Sequence, residues 1–298
     1  MRTRISIVQV WKRRIHDWRI EKRCQSSITE VSISAVGFDS SSSSSSLNDQ
    51  LVSELQPHFE RQEPLLLRGA VSEAPALELW KSFDYWQSKV GQEMAKVEIG
   101  GSYASTGGSD GESSTAEIPV EGYLQYLKLF QERHGKSVSP DMELPASEEM
   151  VYMAQNDLFQ NLYEDIILPD FCQDESNRVG IGRLYSVMLW LGPHSSVSPM
   201  HNDPLDNLFM QYVGRKRVLL FPPDTQVYAG HNGQQSNTSP IEPEPENESL
   251  IKQQYPLFDQ TTGVSCEVGP GDALYIPSKW YHYVKSLDIA ASVNIWWR

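Results

Sequence analysis

The chain has 298 residues, 39 % of them apolar and eight of them Trp, enough to bury one sizeable core with an extension beside it. Its formal charge is −14, yet residues 1–24 hold eight Lys/Arg against Asp17 and Glu21, a net +6 that leaves −20 for the rest. An acidic body excludes phosphate-backbone binding as the main activity, which needs clustered Lys and Arg, and favours a basic protein or peptide as partner over nucleic acid.

Cys24, Cys172 and Cys266 are odd in number and far apart, with no CxxC pairing. That pattern disfavours a disulfide framework and a zinc-thiolate site, and predicts a reducing, intracellular setting in cytoplasm or nucleus. No run approaches the roughly 18 apolar residues that span a bilayer, so no membrane association is expected. The first residues also lack the apolar core of a secretory signal.

In chain order, Val8, Trp11, Ile15 and Trp18 fall at helical spacing among arginines and lysines. This basic amphipathic segment allows targeting to a mitochondrion or plastid, although Asp17 and Glu21 weaken the match. The serine run Ser40 to Ser46 buries no apolar area and reads as a disordered linker. Residues 1–50 are therefore expected to form an extension, disordered or targeting, and residues 51–298 the folded domain.

"LNDQLVSELQPHFERQEPLLLRGAV" reads as a helix and then an apolar strand through Leu65, Leu66 and Leu67. "ELWKSFDYWQSKVG" is a second helix, "AKVEIGGSY" a strand, "ASTGGSDGESSTAE" a flexible loop, and "PVEGYLQYLKLFQERHG" a third helix. After about Met150 the chain turns to short strands punctuated by Gly and Pro, among them "RLYSVMLWLG", "NLFMQYV", "KRVLLFPP", "WYHYVKSL" and "AASVNIWW". Helices first and strands after predict an α+β fold: a double-stranded β-helix, or jelly roll, with the N-terminal helices packed outside.

Within "SPMHNDPLDNLFMQYVGRKRVLLFPP", His201 and Asp203 lie two apart and should project to one side as a strand begins. A two-residue hairpin turn at Gly214-Arg215 would pair Val213 with Lys216 and set Asn207 on the same face as Lys216. An ammonium and an amide inside a barrel are expensive to bury unless an anion joins them. His282, among the aromatics of "LYIPSKWYHYVKSLD", supplies a second imidazole. Two His and one carboxylate form the facial triad of non-heme Fe(II) oxygenases, which leaves positions open for a cosubstrate and O2. Few thiolates and no third His speak against structural zinc. Lys216, 15 residues beyond His201, is then suited to the distal carboxylate of a metal-chelating dicarboxylate.

These segments, with "VYMAQNDLFQNLYEDIILPDFC" and "GPGDALYIPSKWYHYVKSLDIAASVNIWW", resemble the jumonji-C 2-oxoglutarate oxygenases, and among them the arginyl hydroxylases. The likeness covers roughly residues 55–298 and is strongest from 151 onward. It implies a cupin-like fold and a catalytic Fe(II) held by His201, Asp203 and His282, with 2-oxoglutarate and O2 as cosubstrates. Lys216 would take the distal carboxylate with help from Tyr152 and Ser198; Asn207 would contact the metal-proximal end, and Trp296 would wall the pocket. Glu98 in "KVEIGGSY" matches a carboxylate that holds the substrate guanidinium.

The chain departs from the family where an acidic-Trp segment is replaced by "ASTGGSDGESSTAE". The expected activity is hydroxylation of a protein side chain, with arginine first. N-methyl-lysine demethylation and tRNA-base hydroxylation are alternatives on the same fold, and a non-catalytic jelly-roll binding module is the alternative of another class.

Overall fold

The computed structural model describes residues 26–33, 45–100, 114–135, 150–173, 179–230, 236–243, 248–258 and 263–298. The basic segment through Cys24, and Ser40 to Ser44 of the serine run, lie outside the described residues. Within the expected extension, two short strands form: β1 (Ser26–Ser27) and β2 (Thr29–Ser32). The expectation of disorder up to residue 50 is corrected there, because Ile28 and Ile33 are both buried in the body's apolar clusters. Helix α1 (Ser45–Arg61) starts within the serine run and buries Leu51 and Leu55, one turn apart.

Next come β3 (Leu65–Arg68), the short α2 (Ala76–Leu79), α3 (Phe83–Val90) and β4 (Met94–Ile99). Strand β5 (Ser114–Pro119) occupies the end of the stretch read as a flexible loop, so Ser114 to Glu117 are corrected from loop to strand. They pair antiparallel with β4, which supplies the backbone partners that the local composition does not advertise. Helix α4 (Val120–His134) follows, then β6 (Val151–Asp157), β7 (Leu184–Gly192), β8 (Val197–Asn202), β9 (Asp206–Val213) and β10 (Lys216–Phe221). The chain ends with α5 (Glu248–Gln254), β11 (Val264–Val268), β12 (Ala273–Ile276), β13 (Tyr281–Ser286) and β14 (Ala290–Trp297).

These strands build two facing sheets. One runs β1-β11-β10-β13-β8; the other runs β2-β3-β12-β9-β14-β7-β6-β4-β5. Phe209, Leu274 and Ile276 of the larger sheet meet Val218, Leu220, Val268 and Val284 of the smaller in one buried cluster between them. On its outer face the larger sheet packs Met153, Leu189, Met210 and Val293 against Leu55, Trp86 and Leu127 of the helices. Both faces are thus covered, which is why β14 is buried at every position. The jelly roll with external helices is the architecture expected from the sequence.

The hairpin expected at Gly214-Arg215 does not form. Strand β9 pairs with β12 and β14, whereas β10 pairs with β11 and β13, so the turn crosses between sheets and Val213 does not face Lys216. Gly214 makes the crossing at φ +67°. The Gln211 amide donates to the Val213 and Gly214 carbonyls at 2.6 and 3.0 Å, and Asp288 accepts from the Arg215 N–H at 2.9 Å. Asn207 and Lys216 still converge, from opposite sheets rather than along one hairpin face.

Candidate metal and cosubstrate site

His201 lies near the end of β8 and Asp203 just beyond it, so the ligand pair closes a strand rather than opening one as the sequence suggested. Across the ladder His282 of β13 is the direct antiparallel partner of His201. That register stands the imidazoles side by side, with ring centroids 4.2 Å apart and planes inclined by 53°. His201 Nδ1 bonds the Pro199 carbonyl at 2.7 Å and His282 Nδ1 the Trp280 carbonyl at 3.1 Å. Each ring therefore donates from Nδ1, which fixes the tautomer and turns Nε2 toward the Asp203 carboxylate.

The two Nε2 atoms reach the Asp203 carboxylate at 4.0 and 3.7 Å. One donor atom from each of the three residues lies within 4.8 Å of the others. Burial and the neighbouring His201 push His282 down to about 4, against the opposing pull of Asp203, so the ring is neutral near pH 7. Two imidazoles, a carboxylate and the absence of a thiolate from this cluster fit a divalent first-row metal such as Fe(II).

Asp203 is braced from two sides. Trp296 donates its indole N–H to Oδ2 at 3.1 Å, and the Lys279 N–H bonds the Asp203 main-chain carbonyl at 2.8 Å. Trp296 thus does more than wall a pocket: its indole orients the Asp203 carboxylate.

Lys216 opens β10 at 1 % exposure. Its Nζ donates to Ser292 Oγ at 2.8 Å and to the Tyr152 hydroxyl at 3.4 Å, and sits 5.4 Å from the Phe209 ring centroid. Among the described residues no carboxylate pairs with it, and burial alone pushes its pKa down to about 7. Burial likewise raises Tyr152, whose phenol hydrogen-bonds Ser198. Asn207 accepts from Asn294 Nδ2 at 2.9 Å, while Asn207 Nδ2 and Asn294 Oδ1 are buried with no protein partner. The orphaned Asn207 N–H and the uncompensated ammonium in one chamber are donors that an anion would satisfy.

All eight residues expected to hold metal or keto acid line one open cavity. A cupin-like domain model matches residues 52–298, the span that carries both sheets of this site apart from β1 and β2. The chain belongs to the cupin-like jumonji-C family.

Among curated relatives, the chain is 34 % identical to Jumonji C domain-containing protein 5 of Drosophila melanogaster, over 80 % of this chain and 55 % of that protein. It is 32 % identical to Lysine-specific demethylase 8 of Xenopus tropicalis, over 79 % of this chain and 48 % of the relative. With Lysine-specific demethylase JMJ30 of Arabidopsis thaliana the identity is 30 %, over 82 % and 52 % respectively. The chain spans about half the length of these jumonji-C relatives.

Glu98 is the expected site residue that does not line the cavity. It lies on β4 directly opposite Tyr152 of β6, so it borders the jumonji-C site from the neighbouring strand. Burial at 6 % exposure pushes it up to about 7 despite Lys96, and its Oε2 is buried without a partner. Sequence reasoning missed Ser292 and Asn294, which hold Lys216 and Asn207. The signal was present: in "AASVNIWW" the period of two aligns Ser292, Asn294 and Trp296 on one strand face, and each bonds a different residue of the site.

Proposed function

We propose that this jumonji-C protein is an Fe(II)- and 2-oxoglutarate-dependent oxygenase that hydroxylates a protein side chain, with arginine in a basic segment as the favoured target. The observation that carries the reading is the buried Lys216, without a carboxylate partner among the described residues, in the same cavity as the His201, Asp203 and His282 donors. A dicarboxylate would supply what both ends lack: one carboxylate would compensate the Lys216 ammonium, and the keto-acid end would be left for the metal held by His201, Asp203 and His282.

His201, Asp203 and His282 would hold the ion by three protein donors and leave its remaining positions to small molecules. When bound, a ferrous ion supplies the oxidation of the keto acid by O2 and the C–H hydroxylation coupled to it. The protein contributes placement. Lys216 and the Tyr152 and Ser198 hydroxyls fix the distal carboxylate; Asn207 offers its free N–H to the other end; Trp296 keeps Asp203 turned toward the imidazoles. A target C–H held in register with the centre gains several kcal/mol from positioning, of the order of the roughly 7–11 kcal/mol available to aligned reactants. Glu98, with an unpaired buried oxygen at the rim strand, supports a guanidinium as the group that is gripped.

N-methyl-lysine demethylation is the second reading, favoured by the names of the Xenopus and Arabidopsis relatives. A non-catalytic binding role is disfavoured by the intact donor set. Buried Cys172 and Cys266, neither of them in a disulfide, agree with the intracellular, reducing setting we infer. The deciding experiment measures succinate release by the Fe(II)-loaded protein with arginine-containing peptides, methyl-lysine peptides and tRNA. Peptide mass gain of one oxygen at arginine is expected. Formaldehyde from methyl-lysine peptides alone would establish the demethylase instead, and no 2-oxoglutarate turnover with any substrate class would overturn the enzymatic reading.

A further inference from the structure

Two non-glycine residues in left-handed backbone conformations meet beside the metal donors. Gln62, just past α1, has φ +52°, and Lys279, in the turn Pro277 to Trp280, has φ +68°. Such conformations are strained and persist where surrounding contacts over-determine them. Here the contacts run in two steps. Gln62 grips the turn: its main-chain carbonyl accepts from the Trp280 indole at 2.9 Å and its Oε1 from the Ser278 hydroxyl at 3.2 Å. Its Nε2 donates to the Phe59 carbonyl at 2.9 Å and the Tyr275 hydroxyl at 3.3 Å. Tyr275 in turn donates to Asp206 at 2.7 Å, and the same Asp206 oxygen takes the Ser278 N–H at 3.3 Å.

The second step leaves the turn for the donors. The Lys279 N–H holds the Asp203 carbonyl at 2.8 Å, and the Trp280 carbonyl takes the His282 Nδ1 proton at 3.1 Å. Consecutive residues of one turn therefore set the carboxylate loop and one imidazole together. We propose that Gln62 is a positioning residue of the metal centre, acting through Ser278 and Trp280 on Asp203 and His282. The inference rests on the reading that these donors bind a divalent metal. It assigns a metal-tuning role to the end of an N-terminal helix that contributes no ligand.

The test uses the full chain and Co(II), whose visible d–d band reports donor geometry without turnover. Gln62→Gly tolerates the positive φ and keeps the carbonyl that Trp280 uses, while it deletes the side-chain bonds to Ser278, Tyr275 and the Phe59 carbonyl. Co(II) affinity is expected to fall about 3- to 10-fold, below the 10–100-fold typical of groups bonded directly to a ligand. The d–d band should shift while the melting temperature of the metal-free protein stays within a few degrees. Ser278→Ala should act in the same direction, and the double variant should bind no more weakly than Gln62→Gly alone, since both sever one path. Unchanged Co(II) affinity and band in Gln62→Gly would overturn the inference, as would losses that simply add in the double variant. A wild-type protein that fails to bind Co(II) would remove the metal reading itself; one that binds tightly, with Gln62→Gly indistinguishable, removes this inference alone.

Discussion

Lys216 is the residue at which stability and function pull in opposite directions. Its pKa of about 7 lies below the ordinary 10.5, so between those values the unfolded chain binds the proton that the folded chain has released. Stability of the unliganded protein therefore rises with pH through that window, and the cost of burying the charge is fully present below pH 7. Lys216→Met fills the space without the charge, so the metal-free protein should melt higher at pH 7, and the pH-dependent gain above pH 7 should disappear. The same variant should weaken 2-oxoglutarate binding by about 10- to 100-fold, the loss of a charge-assisted bond of about 1.5–3 kcal/mol, measured by titration of the Mn(II)-loaded protein. A lower melting temperature with unchanged ligand affinity would show that the ammonium is structural. Glu98 titrates in the opposite sense. Its pKa of about 7 exceeds the ordinary 4.5, so the stability it contributes falls as pH rises between the two. A cationic substrate selects the ionised carboxylate. Arginine-peptide affinity should thus strengthen as pH climbs through 7, and Glu98→Gln should bind about 10-fold more weakly with a flat profile. A sloping profile in Glu98→Gln would place the titrating group elsewhere.

At the scale of elements, the turn between β9 and β10 decides whether Lys216 faces the site. Gly214 makes it at φ +67°, where an added Cβ would run into the Ile289 carbonyl and Asp288. Gly214→Ala should cost about 2 kcal/mol or more in denaturant unfolding and should also weaken 2-oxoglutarate binding, because Lys216 lies two residues on. A neutral effect on both would mean that the crossing is not constrained there. This turn also shows what the sequence carries and what it withholds. The apolar runs in "NLFMQYV" and "KRVLLFPP" identify two strands, but such runs fit equally whether consecutive strands pair or part into facing sheets. The partner of each strand is fixed by non-local packing, Phe209 and Leu274 against Val218 and Leu220, which no local window contains. Chemistry was more legible than pairing: His201, Asp203 and His282 stand out because charged and metal-binding side chains in an apolar stretch demand a reason. Ser292 and Asn294 do not, since a hydroxyl or amide in a strand has many satisfied fates. Strand β5 was hidden by its Ser and Gly neighbours, and only its ladder with β4 defines it.

Over the whole molecule, the site is a clamp whose jaws are the two sheets. Both imidazoles come from adjacent strands of the smaller sheet, and Asp203 follows β8 directly. The groups proposed to hold the anion, and their supports, are split: Ser198 and Lys216 sit on the smaller sheet, Tyr152, Asn207, Ser292 and Asn294 on the larger. Metal and keto acid should therefore rigidify different parts. Mn(II) alone closes contacts within one edge of the smaller sheet, and should slow amide exchange in β8 and β13 above all. 2-Oxoglutarate added to the Mn(II)-loaded protein would, on the proposed reading, engage Lys216 and the opposite jaw together, so protection should spread to β6, β9 and β14. By mass action the same ligand at about 100 times its Kd adds about 2.7 kcal/mol of global stability, which raises protection in the slowest-exchanging core amides as well. The local effect is separable from the global one by its order, because strands that open by small fluctuations respond before the core does. If 2-oxoglutarate protected β8 and β13 alone, the dicarboxylate would be bound at the metal without engaging Lys216 across the cavity. Lys216→Met supplies the control: it should keep the Mn(II)-dependent protection of β8 and β13 and lose the spread to the larger sheet.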